Sequence, residues 1–183
     1  MTSEQIAQSY QIRLLSKGES ISSFDCGDED LNDFILNESQ LYRQARLAVS
    51  YVIENRVTKQ VVGFFSLAND RVSVSDFENK TEFNRFRKKR FINEKRIKSY
   101  PAVKIGRLGV DISVKGQSLG TFILDFIKSY FVIENISGCR FITVDAYVDA
   151  LQFYLKNNFL PLSEDTKADN TRLLFFDLEE IDE

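Results

Sequence analysis

The chain has 183 residues, 43% hydrophobic and 28% charged, enough for one domain, or one domain with an insertion, to bury roughly 70% of the surface its unfolded chain exposes. It has no histidine and no tryptophan, which excludes Ser-His-Asp and Cys-His catalysis, HExxH zinc sites and zinc fingers. Cys26 and Cys139 cannot form a disulfide framework, no metal box surrounds them, no apolar run nears the ~20 residues of a membrane span, and no leader is seen at Met1; a cytoplasmic protein is expected.

Taken in chain order, Gln11–Ser16 reads as a first strand and Ser22–Gly27 as a turn. Asp28-Glu29-Asp30 opens a helix, since acidic groups complement the positive helix N-terminus; Leu31, Phe34, Ile35, Leu41 and Tyr42 give it one apolar face. Val49–Glu54 and Gln60–Leu67 form an antiparallel hairpin across polar Asn55–Lys59. Asn79–Ser99 is a basic helix anchored by Phe83, Phe86, Phe91 and Ile92 and ended by Pro101. Ala102–Asp111 is a strand whose Gly106 and Gly109 mark a bulge or the close approach of a backbone or ligand. Ser118–Glu134 is the clearest helix, with Leu119, Phe122, Ile123, Phe126, Ile127, Tyr130 and Phe131 stepping by three and four. Cys139–Tyr147, Asp149–Asn157 and Thr171–Leu178 come next as strand, short helix and strand. The order β-α-β-β-α-β-α-β-α-β implies an α/β fold with one mixed sheet.

Net charge is −3, which draws the chain to no polyanion as a whole. The charges are segregated. Residues 1–79 hold seven Lys/Arg against twelve Asp/Glu, residues 80–107 eleven against two, and residues 108–183 six against thirteen. The densest stretch is Arg85-Phe86-Arg87-Lys88-Lys89-Arg90-Phe91, with Lys95, Arg96 and Lys98 beyond. Two readings stand. One is a solvated helix paired with acidic neighbours in the fold; the other is a phosphate-contacting patch centred on Arg87, Lys88, Lys89 and Arg90.

The segment from Val110 to Thr121 runs strand, loop, helix N-terminus. A helix start presents unsatisfied N–H groups and about half a positive charge, and glycine lets a backbone approach an anion. Lys115 adds a charge at the mouth. An ordinary strand-to-helix turn uses the same residues, and neither GxxxxGK[ST] nor GxGxxG is present.

Lys115-Gly116-Gln117-Ser118-Leu119-Gly120 resembles the Q/R-x-x-G-x-G/A pyrophosphate loop of the GNAT acetyltransferase superfamily. Gly120 matches; Lys115 and Ser118 depart from the pattern, and a serine with its Cβ suits that position only if φ stays negative. Gly106-Arg107-Leu108-Gly109-Val110-Asp111 is similar to the family's fourth strand. Val144-Asp145-Ala146 and Ala150-Leu151-Gln152-Phe153-Tyr154-Leu155-Lys156-Asn157-Asn158-Phe159 are similar to its fifth strand and the helix after it. Asn158 stands where glycine is common, and asparagine tolerates left-handed geometry. Phe24-Asp25-Cys26-Gly27, Leu31-Asn32-Asp33-Phe34, Tyr51-Val52 and Val61–Leu67 resemble the toxin branch of bacterial toxin–antitoxin acetyltransferases.

The resemblance implies a single GNAT domain over 1–183 with a basic helical insertion at about 79–100. Its fold would be a mixed, mostly antiparallel sheet with a central splay and helices on both faces. It implies acetyl-CoA as cofactor, held by Leu108, Gly109, Val110, Lys115, Gly116, Gln117, Ser118, Leu119, Gly120 and Thr121. Backbone N–H groups near Leu108–Val110 would meet the developing oxyanion. Tyr154 would be the general acid, a phenol of ordinary pKa ~10 facing a thiolate whose conjugate acid lies near 8.5. A core tyrosine is the plain alternative for that residue. The implied partners are an amine acceptor, tRNA on the basic face, an antitoxin protein and a second copy in a homodimer; no metal and no membrane are implied.

No general base is evident; Glu54, Asp70 and Asp111 are the candidates, each also readable as a surface carboxylate. An α-amine of pKa ~7.7–8 is about a tenth neutral at pH 7, so lacking a base costs it about 1 kcal/mol, against about 4–5 kcal/mol for a lysine. The acceptor expected is therefore a low-pKa amine such as the α-amine of aminoacyl-tRNA. An enzyme acting on a protein N-terminus or small amine, and a CoA-binding module without catalysis, remain open beside it.

Overall fold

The computed structural model describes residues 1–91, 97–134, 137–163 and 170–181. They fall into two compact units, Met1–Ala68 with Ile105–Ile127, and Asn69–Lys104 with Lys128–Glu183. Among the described residues one seven-stranded sheet has the order β1-β2-β3-β4-β5-β7-β6. These strands are β1 Tyr10–Leu14, β2 Val49–Asn55, β3 Val61–Ser73, β4 Ser99–Val110, β5 Phe141–Tyr147, β6 Leu160–Pro161 and β7 Thr171–Asp177. The mixed, mostly antiparallel sheet with flanking helices is the expected fold class.

In the first unit, helix α1 (Ser3–Ser9) starts on a capping box. The Thr2 hydroxyl accepts the Gln5 N–H, and the Gln5 side chain accepts the Thr2 N–H. β1, β2 and β3 are antiparallel neighbours, with Ile12 opposite Ile53 and Val52 opposite Phe64. The second helix begins at Glu29, capped by Asp28, whose carboxylate accepts the Leu31 N–H at 3.0 Å. It runs as α2 (Glu29–Asp33), a π-helical turn (Phe34–Glu38) and α3 (Ser39–Gln44).

The π turn corrects the expected apolar face. It inserts an extra residue per turn and rotates the rest of the helix about its axis. Phe34 and Ile35 are buried as anticipated, but Leu41 and Tyr42 face solvent, and Ser39 and Arg43 take the inward positions. Arg43 donates to the Ser16 carbonyl at 3.0 Å and to the Ser39 hydroxyl at 3.0 Å. Leu15, Phe24, Cys26, Phe34, Ile35, Val52 and Phe64 form the core of this unit.

The second unit has an aromatic core. Phe77, Phe83, Phe86, Tyr100, Phe141 and Phe175 pack with Val72, Ala102 and Leu162, and Phe91 lies against them. β4 pairs with β5 in parallel over Ala102–Lys104; β5 pairs with β7 antiparallel along its whole length. Helix α4 (Lys80–Arg90), capped by Asn79 onto the N–H groups of Thr81 and Glu82, seats Phe83 and Phe86 in that core.

The basic helix is shorter than expected. It ends at Arg90, with Phe91 extended behind it, and Ser99 already belongs to β4. Pro101 does not stop a helix; it lies near the start of β4, where its missing N–H is tolerated and its carbonyl accepts the Arg140 N–H at 3.0 Å. Ile92, Lys95 and Arg96 lie outside the described residues. Helices α5 (Leu119–Ile133) and α6 (Leu151–Lys156) complete the set. In α5, Leu119, Ile123, Leu124 and Ile127 are fully buried, whereas Phe122, Phe126, Tyr130 and Phe131 are only half-buried.

Candidate active site

β4 runs back along β3 in the first unit. Gly109 is forced by a side chain: a Cβ there would come within 2.7 Å of the Phe64 ring. At Gly106 a Cβ would meet the Ser66 hydroxyl at 3.1 Å. The close approach foreseen for these glycines is thus made by side chains of β3. Leu108, Gly109 and Val110 close this strand, with Gly109 buried and its two neighbours half-buried.

Beyond Val110 the backbone is tied down before it opens. The buried Asp111 carboxylate accepts the Ser113 N–H at 2.9 Å, the Ser113 hydroxyl at 2.6 Å and, on its other oxygen, the Asp25 N–H at 3.2 Å. Burial alone would raise its pKa, but these three hydrogen bonds outweigh that and hold the carboxyl below the usual range. The Ile112 N–H returns to the Asp25 carbonyl at 2.8 Å. The Asp25 side chain in turn accepts from the Gly27 N–H and from Asn32. Asp111, weighed as a base, is a fastener of the loop.

The loop itself turns twice through the left-handed region, at Gly116 (φ 79°) and Ser118 (φ 64°). The serine therefore does not keep the negative φ that its Cβ was expected to require. A Cβ on Gly116 would meet nothing within 4 Å, and Lys115, Gly116 and Ser118 are exposed while Gln117 is half-buried. The Lys115 Nζ lies 3.4 Å from where a Cβ on Gly27 would stand. Helix α5 closes its first turn with the Phe122 N–H on the Ser118 carbonyl at 3.1 Å. The N–H groups of Leu119, Gly120 and Thr121 have no acceptor inside the helix. Leu119 is buried, so only its backbone can serve a ligand. Two left-handed turns, one ammonium and a fan of free-ended amides suit a diphosphate.

Tyr154, in the second unit, is 6% exposed, with edge-on ring contacts to Phe153 and Phe159. Burial pushes its phenol pKa well above the ordinary value. The phenol is therefore protonated at neutral pH and can donate a hydrogen bond to a thiolate. Its carbonyl accepts the N–H groups of Asn157 and Phe159, and Asn158 sits at φ 64°, the left-handed residue anticipated there.

The remaining carboxylates do structural work. Glu54 is buried, not on the surface. Burial would raise its pKa, but hydrogen bonds from Gln11 and Arg13 lower it overall. Asp70 accepts the Thr143 hydroxyl and lies 3.9 Å from Lys104.

The basic patch separates into two faces. Arg85, Lys88 and Lys89 are exposed. Arg87 is buried and donates to Asn84 at 2.9 Å. Arg90 pairs with buried Asp177 at 3.0 Å, with its guanidinium 4.3 Å from the Phe86 centroid and 4.8 Å from that of Phe175. The amphipathic helix turns these two arginines inward. Sequence reasoning also missed Asp25, Asn32 and Gly27 as props of the loop; the signal present was Asp25 with glycine two residues on, a local side-chain turn. Among the described residues no cluster of three or more metal-ligating side chains occurs, and no helix is long and apolar enough to cross a membrane.

The sequence matches no protein-family model. Solved structures share its fold over nearly the whole chain. A tyrosine-to-phenylalanine mutant of KacT is 22% identical with TM-score 0.75, covering 96% of this chain and 98% of its own. AtaT complexed with acetyl-methionyl-tRNAfMet is 22% identical with TM-score 0.74, covering 94% and 97%. A tyrosine-to-phenylalanine mutant of the AtaT toxin, bound to the C-terminus of the antitoxin AtaR and acetyl-CoA, is 22% identical with TM-score 0.70, covering 95% and 96%. The chain thus shares the fold of these solved structures, a mixed, mostly antiparallel sheet of the GNAT type.

Proposed function

We propose that this protein is an acetyl-CoA-dependent N-acetyltransferase of the cytoplasm that acetylates the α-amine of aminoacyl-tRNA and is held in check by an antitoxin protein. The observation that carries the reading is the opening of α5, where Gly116 and Ser118 are left-handed, Lys115 is exposed and the first amides have no helical acceptor. It occurs on the fold of proteins solved with acetyl-CoA, with acetyl-methionyl-tRNA and with an antitoxin segment.

Acetyl-CoA, when bound, supplies the activated acetyl thioester. In this reading, Lys115, Gly116, Gln117, Ser118, Leu119, Gly120 and Thr121 hold the diphosphate, chiefly through backbone amides. Leu108, Gly109 and Val110 present backbone to the thioester arm. Tyr154 donates a hydrogen bond to the departing sulfur. Arg85, Lys88 and Lys89 meet the RNA backbone; Arg87 and Arg90 serve by fixing α4 beneath them. With Glu54 and Asp111 held as weak bases, the acceptor must bring its own neutral amine, which favours an α-amine over lysine.

Isothermal titration with acetyl-CoA is the direct test. Saturable binding that weakens with salt is expected, because the diphosphate contact is partly electrostatic. Absence of binding removes the enzyme reading. Binding without thiol release across aminoacyl-tRNA, peptide and small-amine acceptors reduces the protein to a CoA-binding module.

A further inference from the structure

Helix α5 carries one residue that its packing does not explain. Its buried neighbours Leu124 and Ile127 are aliphatic, yet Lys128 beside them is only 7% exposed. Lysine is almost never buried this far without a partner. Its Nζ donates to the Asn157 carbonyl at 2.7 Å and lies 4.2 Å from the Phe176 centroid and 5.5 Å from that of Phe159. An aliphatic side chain would fill the same space without desolvating a charge.

Two of these partners, Asn157 and Phe159, border Tyr154. Asn157 ends α6, the helix that carries Tyr154, and its own N–H returns to the Tyr154 carbonyl at 3.0 Å. Phe159 touches the Tyr154 ring edge-on, with centroids 5.5 Å apart. The Asn157 side chain donates to the Phe153 carbonyl at 2.7 Å. The turn from Phe153 to Phe159 is thus closed internally, and Lys128 reaches it at both the backbone and the ring that borders Tyr154.

We propose that Lys128 is a positioning residue for Tyr154: it ties α5 to the end of α6 through the Asn157 carbonyl and braces Phe159, and this fixes where the phenol stands. The proposal rests on the role given to Tyr154 for its catalytic consequence, but not for its structural one. A cation at this place also suits the negative C-terminal end of α6.

The experiment uses the full chain labelled with 3-fluorotyrosine at its seven tyrosines, with the fluorine resonance absent from Y154F assigned to Tyr154. K128M should shift and broaden that resonance, while K128R, which keeps a donor and a cation, should leave it near its wild-type position. With aminoacyl-tRNA as acceptor, K128M should lower kcat about tenfold and leave KM for acetyl-CoA within about twofold. K128M/Y154F should be no slower than Y154F alone. An unchanged resonance in K128M overturns the proposal, as does a double variant slower than Y154F by the full K128M factor. A wild-type kcat in Y154F removes Tyr154 from the chemistry, but the resonance still decides whether Lys128 places it. If K128M does not fold, K128Q gives the same readouts.

Discussion

Helix α4 and the loop before α5 were both marked in the sequence by cations, yet the fold uses those cations in opposite ways. In α4 the charge density is greatest, but Arg87 and Arg90 turn inward to Asn84 and Asp177. In the loop a single lysine stands exposed beside two left-handed residues and the bare start of a helix. Counting charges alone does not tell which cations the fold leaves exposed. An anion site is made by groups left without partners, and a backbone amide qualifies as well as an arginine does.

Substitutions can break or sharpen this contrast. The largest effect is expected for R90E, which sets a carboxylate against buried Asp177 between two phenylalanine rings; unfolding in urea should show a loss of about 3 kcal/mol. The paired variant K88E/K89E alters only the outer face and should stay within about 0.5 kcal/mol of wild type while weakening RNA binding. Equal destabilisation of the two variants would show that the helix has no inner and outer cations.

Next in size, K115A should weaken acetyl-CoA binding by about 1 kcal/mol, roughly fivefold in Kd by titration, the modest value expected of one exposed charge among many amides. A hundredfold loss would mean that the charge, not the backbone, makes the loop. S118G, which relieves a left-handed serine, should raise folding stability by about 1 kcal/mol with the same ligand affinity. The smallest effect is in acid. The Asp111 carboxyl is held below its ordinary pKa, so its contribution is full above the unfolded value of about 3.9 and is lost as pH falls through the lower folded value. Urea unfolding of wild type and D111A should therefore converge as pH is lowered through that window. A gap that stays constant would assign the effect of Asp111 to packing.

How much was legible depended on the range of the interactions. The stripe Leu119, Ile123, Ile127 and the anchors Phe83 and Phe86 repeat at helical spacing, and they are buried as expected. The capping box of Thr2 and Gln5 is equally local, a pairing of residues three apart. The π turn at Phe34–Glu38 has no periodic signal, because it is itself a break in the period. The short β6 depends on pairing with β7. The fastening of Asp25 to Asp111 joins residues 86 positions apart, and the inward turn of Arg90 depends on Asp177 a similar distance away. Such links arise only from tertiary placement. Tyr154 was legible as a motif member, but its burial, and with it the direction of its pKa, was not.

The ring of phenylalanines beneath α4 carries an evolutionary consequence. Phe83 and Phe86 plug that helix into its aromatic seat, leaving positions 85, 88 and 89 without structural duty. Those outer positions can drift in charge and shape with little penalty in folding, so the outer face of α4 can change its electrostatic character while the aromatic seat beneath it stays as it is.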